Sequence, residues 1–395
     1  MDHAYELRLY DTPLLAFTLE SRGLEGLSAK IISVADESKH LLPLDLTPTD
    51  EGLLKWLERR VIPKNRAFVD EILRSLKLPA NDTKGIIDVC KGLSLNDSYW
   101  VVPHGFPGKF GQYNLYENRF SEILALVAYT GIGASDAAFT TSPELTTNGM
   151  LPKAWRLIEN DGIYLYKGGT SGAANTGNEP YSEYYASQIA RVMGLNAMEY
   201  DLENWKGILA SKCRLFTDID TSFIPIGRIV RAGGLKACLD YYAGLGRAYV
   251  EAVRSMLVFD AVIYKEDRHF GNFGLLRDNH TGKVSAPAPV FDNGVSLFNY
   301  AMLSDMKELD EYAKTRAPAY GNITFEEICS EVMGKTQAGQ LRKLIGFQFK
   351  RHPLHNWPEE RLTAIERHTQ ERVRKLLELV RIRQRTRPEP ERGYR

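Results

Sequence analysis

A chain of 395 residues, 44% hydrophobic and 25% charged, is long enough for two domains or one two-lobed unit with a sizeable core. Its 50 Lys/Arg balance 50 Asp/Glu, so no global field favours nucleic acid or an anionic membrane surface. Cys90, Cys213, Cys238 and Cys329 form no CxxC pair, which argues against a zinc ribbon or a dense disulfide framework and fits a reducing compartment. The opening "MDHAYELRLYDTPLLAF" has no basic start followed by an apolar core, and no apolar run is long enough to span a bilayer; a cytoplasmic protein without membrane contact is expected.

Glu6 to Glu20 alternates as strands do. Asp50 to Leu78 has helical spacing, with Leu53, Leu54, Trp56 and Leu57 as its apolar stripe, before a break at "PANDTKG". These stretches define a small α/β unit over residues 1–115. A strand-rich part follows over 116–218. "FSEILALVAYTGIG" reads as a helix or a buried strand ending in Gly. Lys153 to Thr170 is the clearest hairpin of the chain, two aromatic and branched runs around "NDG". After the loop "GGTSGAANTGN" comes a well-punctuated helix, with Asn178 as N-cap, Pro180 near the first turn and Gly194 at its end. Strand-like stretches recur near "NAMEYDL" and "ILASKCRLFT". Residues 219–395 turn mostly helical. Tyr249, Val253, Met256, Leu257 and Ala261 share one face. The last helix carries Leu362, Ile365, Val373, Leu376, Leu377 and Val380. Its end, Glu371 to Arg395, has nine Lys/Arg against four Asp/Glu and reads as a solvated helix end.

One stretch mixes chemistry with apolar flanks: "IYKEDRHFGNFGLL", Ile263 to Leu276. Asp267 and Asn272 in it have the D-x-x-x-x-N spacing of a kinase catalytic loop. Phosphoryl transfer from ATP needs a Lys on the phosphates, a Glu to hold that Lys, an Asp for the nucleophile, and an Asn and a second Asp for magnesium. In that order the sequence offers Lys167 at the end of "IYLYK", Glu183 in the punctuated helix, Asp267, Asn272, and Asp292 after the strand-like run "PAPVF". Each has a bland reading: a snorkelling Lys, an acid suited to a helix's first turn, a turn Asp before Asn293-Gly294. Their order and placement together carry the kinase reading. His269 suits a loop-orienting hydrogen bond to a backbone carbonyl or to Asp292, and Arg268 suits a carboxylate partner.

"EDRHFGNFGLL" with "VFDNGVSLF" resembles the catalytic core of HipA-type serine/threonine kinases, and the first is also similar to the D-R-H-x-x-N loop of phosphatidylinositol 3- and 4-kinases. "SEYYASQIARVMGL" resembles the helix with the structural Glu. "TTNGMLPKAWRL" resembles that family's phosphate loop, with Thr146, Gly149 and Lys153 at the matching positions. The resemblance spans Ser142 to Tyr300 and implies an α+β, bilobal protein-kinase-like fold, a strand-rich N-lobe and a helical C-lobe behind the small N-terminal unit. It implies ATP and magnesium as cofactors and a protein hydroxyl as acceptor. Carried over, Lys167 contacts the α/β-phosphates, Glu183 pairs with it, Asp267 is the base, and Asn272 and Asp292 hold magnesium. The backbone of Leu215, Phe216 and Thr217 meets adenine, and Thr146 is the candidate for autophosphorylation. A small DNA-binding antitoxin is the partner the family suggests, while the chain itself has no basic face for nucleic acid. G-x-G-x-x-G and A-P-E are absent, as in HipA-type proteins.

Two other readings share these residues. A lipid kinase, or a kinase-like protein that binds without turnover, would keep the same core groups. D-x-H at Asp267 to His269 with "DNH" at Asp278 to His280 also suggests a two-metal phosphoesterase, but the second cluster sits inside an expected hairpin turn rather than at a separate strand end.

Overall fold

The computed structural model describes residues 4–21, 26–79, 82–133, 142–173 and 175–386, the stretch 380–386 by backbone alone. Val380 of the expected final stripe and residues 387–395 of the basic end lie outside what is described of side chains. Two compact units do not follow chain order. The first gathers residues 1–170, 203–229 and 274–288; the second gathers 171–202, 230–273 and 289–395.

In the first unit, β1 (Ala4–Leu9), β2 (Thr12–Ser21) and β3 (Leu27–Val34) form an antiparallel meander. Alternation along β1 and β2 sends Leu7, Leu9, Leu15, Phe17 and Leu19 into a core shared with Leu53, Trp56 and Leu57 of α1 (Asp50–Glu58). The single helix suggested over Asp50 to Leu78 is in fact two, α1 and α2 (Val69–Ser75). Pro63 lies between them, where its ring and missing N–H stop a helix. α3 (Thr83–Cys90) leads to β4 (Tyr99–Pro103), which pairs with β1 and completes the order β3-β2-β1-β4. α4 (Glu122–Thr130) resolves the helix-or-strand alternative: Ser121 caps it by accepting from Leu124 N–H, and Gly131 closes it at φ 71°.

β5 (Lys153–Ile158) and β6 (Gly162–Gly168) are the expected hairpin, with Asn160 left-handed in its turn. Within the described residues of the second unit, α5 (Glu179–Met193) is the expected helix ending at Gly194, φ 78°. Asn178 stands at its N-cap position without capping it. The side chain instead donates to Asn299 O at 2.9 Å and accepts from Trp357 Nε1 at 2.7 Å. β7 (Asp201–Trp205) and β8 (Ile208–Arg214) extend the hairpin to the order β5-β6-β8-β7. β9 (Thr221–Pro225), in a stretch read as the start of a helical part, is an antiparallel partner of a later strand. The short α6 (Ile226–Ile229) follows it.

The second unit continues with α7 (Gly234–Leu245) and α8 (Arg247–Ile263). Every residue of α8 from Ser255 to Ile263 is buried, so its second half is a central helix rather than a one-sided stripe. The chain then returns to the first unit for β10 (Gly274–Asp278) and β11 (Val284–Pro287), giving the sheet β11-β10-β9. β10 and β11 are the hairpin expected around "RDNHTGK". α9 (Leu309–Lys314), α10 (Phe325–Val332), α11 (Lys335–Arg342) and α12 (Glu359–Thr386) finish the second unit. Leu362, Ile365, Val373 and Leu376 of α12 are fully buried, as their spacing predicts. Among the described residues no helix is long and apolar enough to cross a membrane.

Candidate active site

The loop that follows α8 is fixed where it leaves the helix. Tyr264 closes the helix at φ 51°, and Leu297 N–H donates to Ile263 O at 2.7 Å. Within the loop Asn272 N–H donates to His269 O, and its side-chain Nδ2 donates to Asp267 O, both at 2.9 Å. With Nδ2 committed, the amide's orientation is set and Oδ1 is the atom left to act as acceptor. Asp267 keeps its carboxylate half-exposed. Thus the Asp and Asn spaced five apart are bonded to each other, which spacing alone could only suggest.

Arg268, fully buried, is what organises the surroundings. It spans both carboxylate oxygens of Asp260 at 2.9–3.2 Å and donates to Phe291 O, to Asn272 O at 3.3 Å and to Asn293 Oδ1 at 2.7 Å. One guanidinium therefore ties α8, the loop and the Asp292 segment together. Its rigid fork suits that many acceptors. Burial alone would lower it, but Asp260 beside it carries it above the usual arginine range, and it stays cationic. Burial also pushes the Asp260 carboxyl up, against the pull of Arg268. The expected carboxylate partner of Arg268 thus exists. Its identity was missed, although a lone acid in "SMLVFDAVI" already demanded a buried partner.

His269 orients the loop differently from expectation. Its Nδ1 accepts from Gly271 N–H at 3.0 Å, and Nε2 lies 3.9 Å from Asp267. Among the described residues the exposed ring makes these contacts rather than a hydrogen bond to a carbonyl or to Asp292. The ring lies so close over Gly271 that a Cβ there would sit 2.8 Å from it.

Asp292 adopts φ 56°, a left-handed conformation uncommon for a non-glycine residue, and its N–H donates to Tyr200 Oη at 3.0 Å. The next N–H, of Asn293, donates to Glu183 Oε2 at 2.6 Å. Glu183 on α5 is fully buried. Asp292 does not emerge from a regular strand. β11 stops at Pro287, and Pro289 removes another ladder donor, leaving a single parallel bridge between Ala197 and Val290.

The remaining site candidates belong to the first unit. Lys153 and Lys167 face each other directly across the β5–β6 ladder, so their side chains share one face of the sheet. Lys153 Nζ donates to Asn148 O at 2.8 Å, close over Gly149, where φ is 98° and a Cβ would meet Nζ at 2.1 Å. Thr146 is buried, and its hydroxyl donates to Leu93 O at 2.8 Å. Leu215 N–H continues the sheet by donating to Ile163 O at 2.8 Å. Phe216 packs edge-on against Phe223, and the Thr217 hydroxyl donates to Leu95 O.

No family model matches the chain, and no curated protein does. Solved structures do. The Helicobacter pylori proinflammatory kinase CtkA superposes with TM-score 0.51 at 18% identity, over 63% of this chain and 97% of that one. A chain from the toxin–antitoxin complex of Shewanella oneidensis MR-1 HipA, HipB and operator DNA superposes with TM-score 0.56 at 12% identity, over 96% of this chain and 99% of that one. The chain has the fold of HipA-like kinases.

Proposed function

We propose that this chain is an ATP- and magnesium-dependent protein serine/threonine kinase of the HipA-like type. The observation that carries the reading is the loop in which Asn272 is bonded to Asp267 while Arg268 ties the loop to the Asp292 segment. Asp267, with its carboxylate half-exposed, takes the proton of the acceptor hydroxyl. Lys153 and Lys167, opposite each other on one sheet face, neutralise phosphate oxygens. Glu183 holds the backbone behind Asp292, and in the family's pattern it also steadies Lys167. The adenine meets the backbone of Leu215, Phe216 and Thr217. Asn272 Oδ1 and the Asp292 carboxylate are hard oxygen donors of the kind magnesium takes, and would hold it. When bound, that ion neutralises charge on the transferring phosphoryl group.

The neighbour taken from a toxin–antitoxin complex of HipA, HipB and operator DNA supports an antitoxin partner for this chain, and a cytoplasmic setting is proposed with it. Thr146 is the proposed autophosphorylation site. Since its hydroxyl is buried and engaged, modification requires the Thr146 segment to leave its seat.

The test is incubation of the purified chain with labelled ATP and magnesium, followed by mass spectrometry of the chain and of added lysate proteins. Magnesium-dependent phosphate on Ser or Thr is expected, Thr146 among the sites. Label confined to lipid, or nucleotide binding without any transfer, would refute the protein-kinase reading.

A further inference from the structure

Arg66, from the turn before α2, has no place in the machinery described so far. It is almost completely buried, and the hydrogen bonds of its guanidinium run to one segment. Its guanidinium donates to Glu144 O and to a Glu144 carboxylate oxygen, to Thr147 O at 3.5 Å and to Lys153 O at 3.0 Å. The other carboxylate oxygen of Glu144 accepts from Trp155 N–H at 2.7 Å, and Trp155 Nε1 donates to Thr147 Oγ1 at 3.0 Å. Next in sequence to Arg66, Ala67 N–H donates to Met150 O at 3.0 Å. Between these anchors Asn148, Gly149 and Met150 are exposed.

We infer that Arg66 is a positioning residue for the phosphate loop, splinting both ends of the Glu144–Lys153 segment so that its exposed tip is held in one shape. This rests on the reading of that segment as the phosphate loop. The physical argument is one of geometry. Three carbonyls and a carboxylate, from both ends of a ten-residue stretch, converge on one planar cation, which only an arginine can satisfy together. Burial pushes the Glu144 carboxyl up while Arg66 and Trp155 N–H draw it down, so the carboxylate depends on the cation beside it. A loop anchored at both ends loses less freedom when a ligand orders its tip, and binds more tightly for that reason. A residue some eighty positions earlier thereby sets the affinity of the loop without touching nucleotide.

The experiment uses the full chain with Arg66→Lys, and a double variant, Arg66→Met with Glu144→Gln, which leaves no lone buried carboxylate. Amide hydrogen exchange across the segment and the KM and kcat for ATP are measured for each. Exchange at residues 144–153 should rise about tenfold or more with the rest of the β5–β6 ladder unchanged, the loosening that loss of charge-assisted bonds produces. The KM for ATP should rise about tenfold with kcat less affected, since the loss falls on binding. Unchanged exchange in a folded variant overturns the splint. Raised exchange with ATP binding intact, in a protein whose Lys153→Ala variant also binds ATP normally, overturns the phosphate-loop reading and the positioning role with it.

Discussion

Arg268 and Asp260, eight residues apart and both buried, form an ion pair in which one guanidinium spans both carboxylate oxygens. Pairs of this kind owe their existence to mutual dependence: each charge is tolerable only while the other is present. Replacing Asp260 by Asn, or Arg268 by Met, should cost roughly 3–5 kcal/mol, read from urea unfolding. The double variant should be less destabilised than the sum of the singles, because no uncompensated charge remains. Additive losses would show that the pair is not the unit described.

Asp267→Asn should lower phosphoryl transfer by about 10²–10⁴-fold, the usual contribution of a positioned base, with ATP binding nearly intact. Asp292→Ala should remove the magnesium dependence of nucleotide binding, measured by titration with and without the ion. Full transfer activity in Asp267→Asn would unseat the assignment of the loop.

Gly271→Ala tests His269 without touching it. A Cβ at position 271 would displace the ring that accepts the 271 N–H. The expected outcome is a fall in kcat of about tenfold with stability changed by less than about 1 kcal/mol, since the site is exposed. Equal loss of stability and activity would instead mark the loop as a folding element.

His368 supplies a pH dependence. It is buried beside the rings of Tyr264 and Phe298, with Nδ1 bonded to Asp310 at 2.7 Å. Burial pushes it below its ordinary value of 6.5, by more than Asp310 raises it. The unfolded chain therefore binds a proton that the folded one does not as pH falls through about 6.5. Stability is full above that value and declines below it. Thermal melting of His368→Phe should lose this part of the acid slope; an unchanged slope would exclude His368 as its source.

How much of this was legible in the sequence depended on the range of the interaction. Asn160-Asp161 between two apolar runs specified the β5–β6 hairpin, because turn chemistry is local. Asp267 and Asn272 lie close enough for spacing to suggest their partnership. Arg66 could not be seen, since the segment it holds begins 78 positions later and nothing local distinguishes a buried Arg from a solvated one. β9 was missed because its ladder partner, β10, lies beyond three intervening helices. Pro63 was visible and should have divided the helix read over Asp50 to Leu78. Motif order suggested a kinase, and the HipA-like fold was anticipated from the resemblance of those motifs to that family; in the structure the residues named for it divide between two compact units.

The pairing of β9 with β10 also sets an order of events during synthesis. Residues 230–273, which bear the Asp267 loop, are made between the two strands but belong to the other unit. At ~5–20 residues per second, a ribosome leaves β9 waiting several seconds for its neighbour. During that interval Thr221–Pro225, with Phe223 and Ile224 destined for burial, is an unsatisfied strand on a nascent chain. Truncated products ending before Gly274 would carry that sticky edge permanently, which makes early termination in this region a route to aggregation rather than to a smaller working protein.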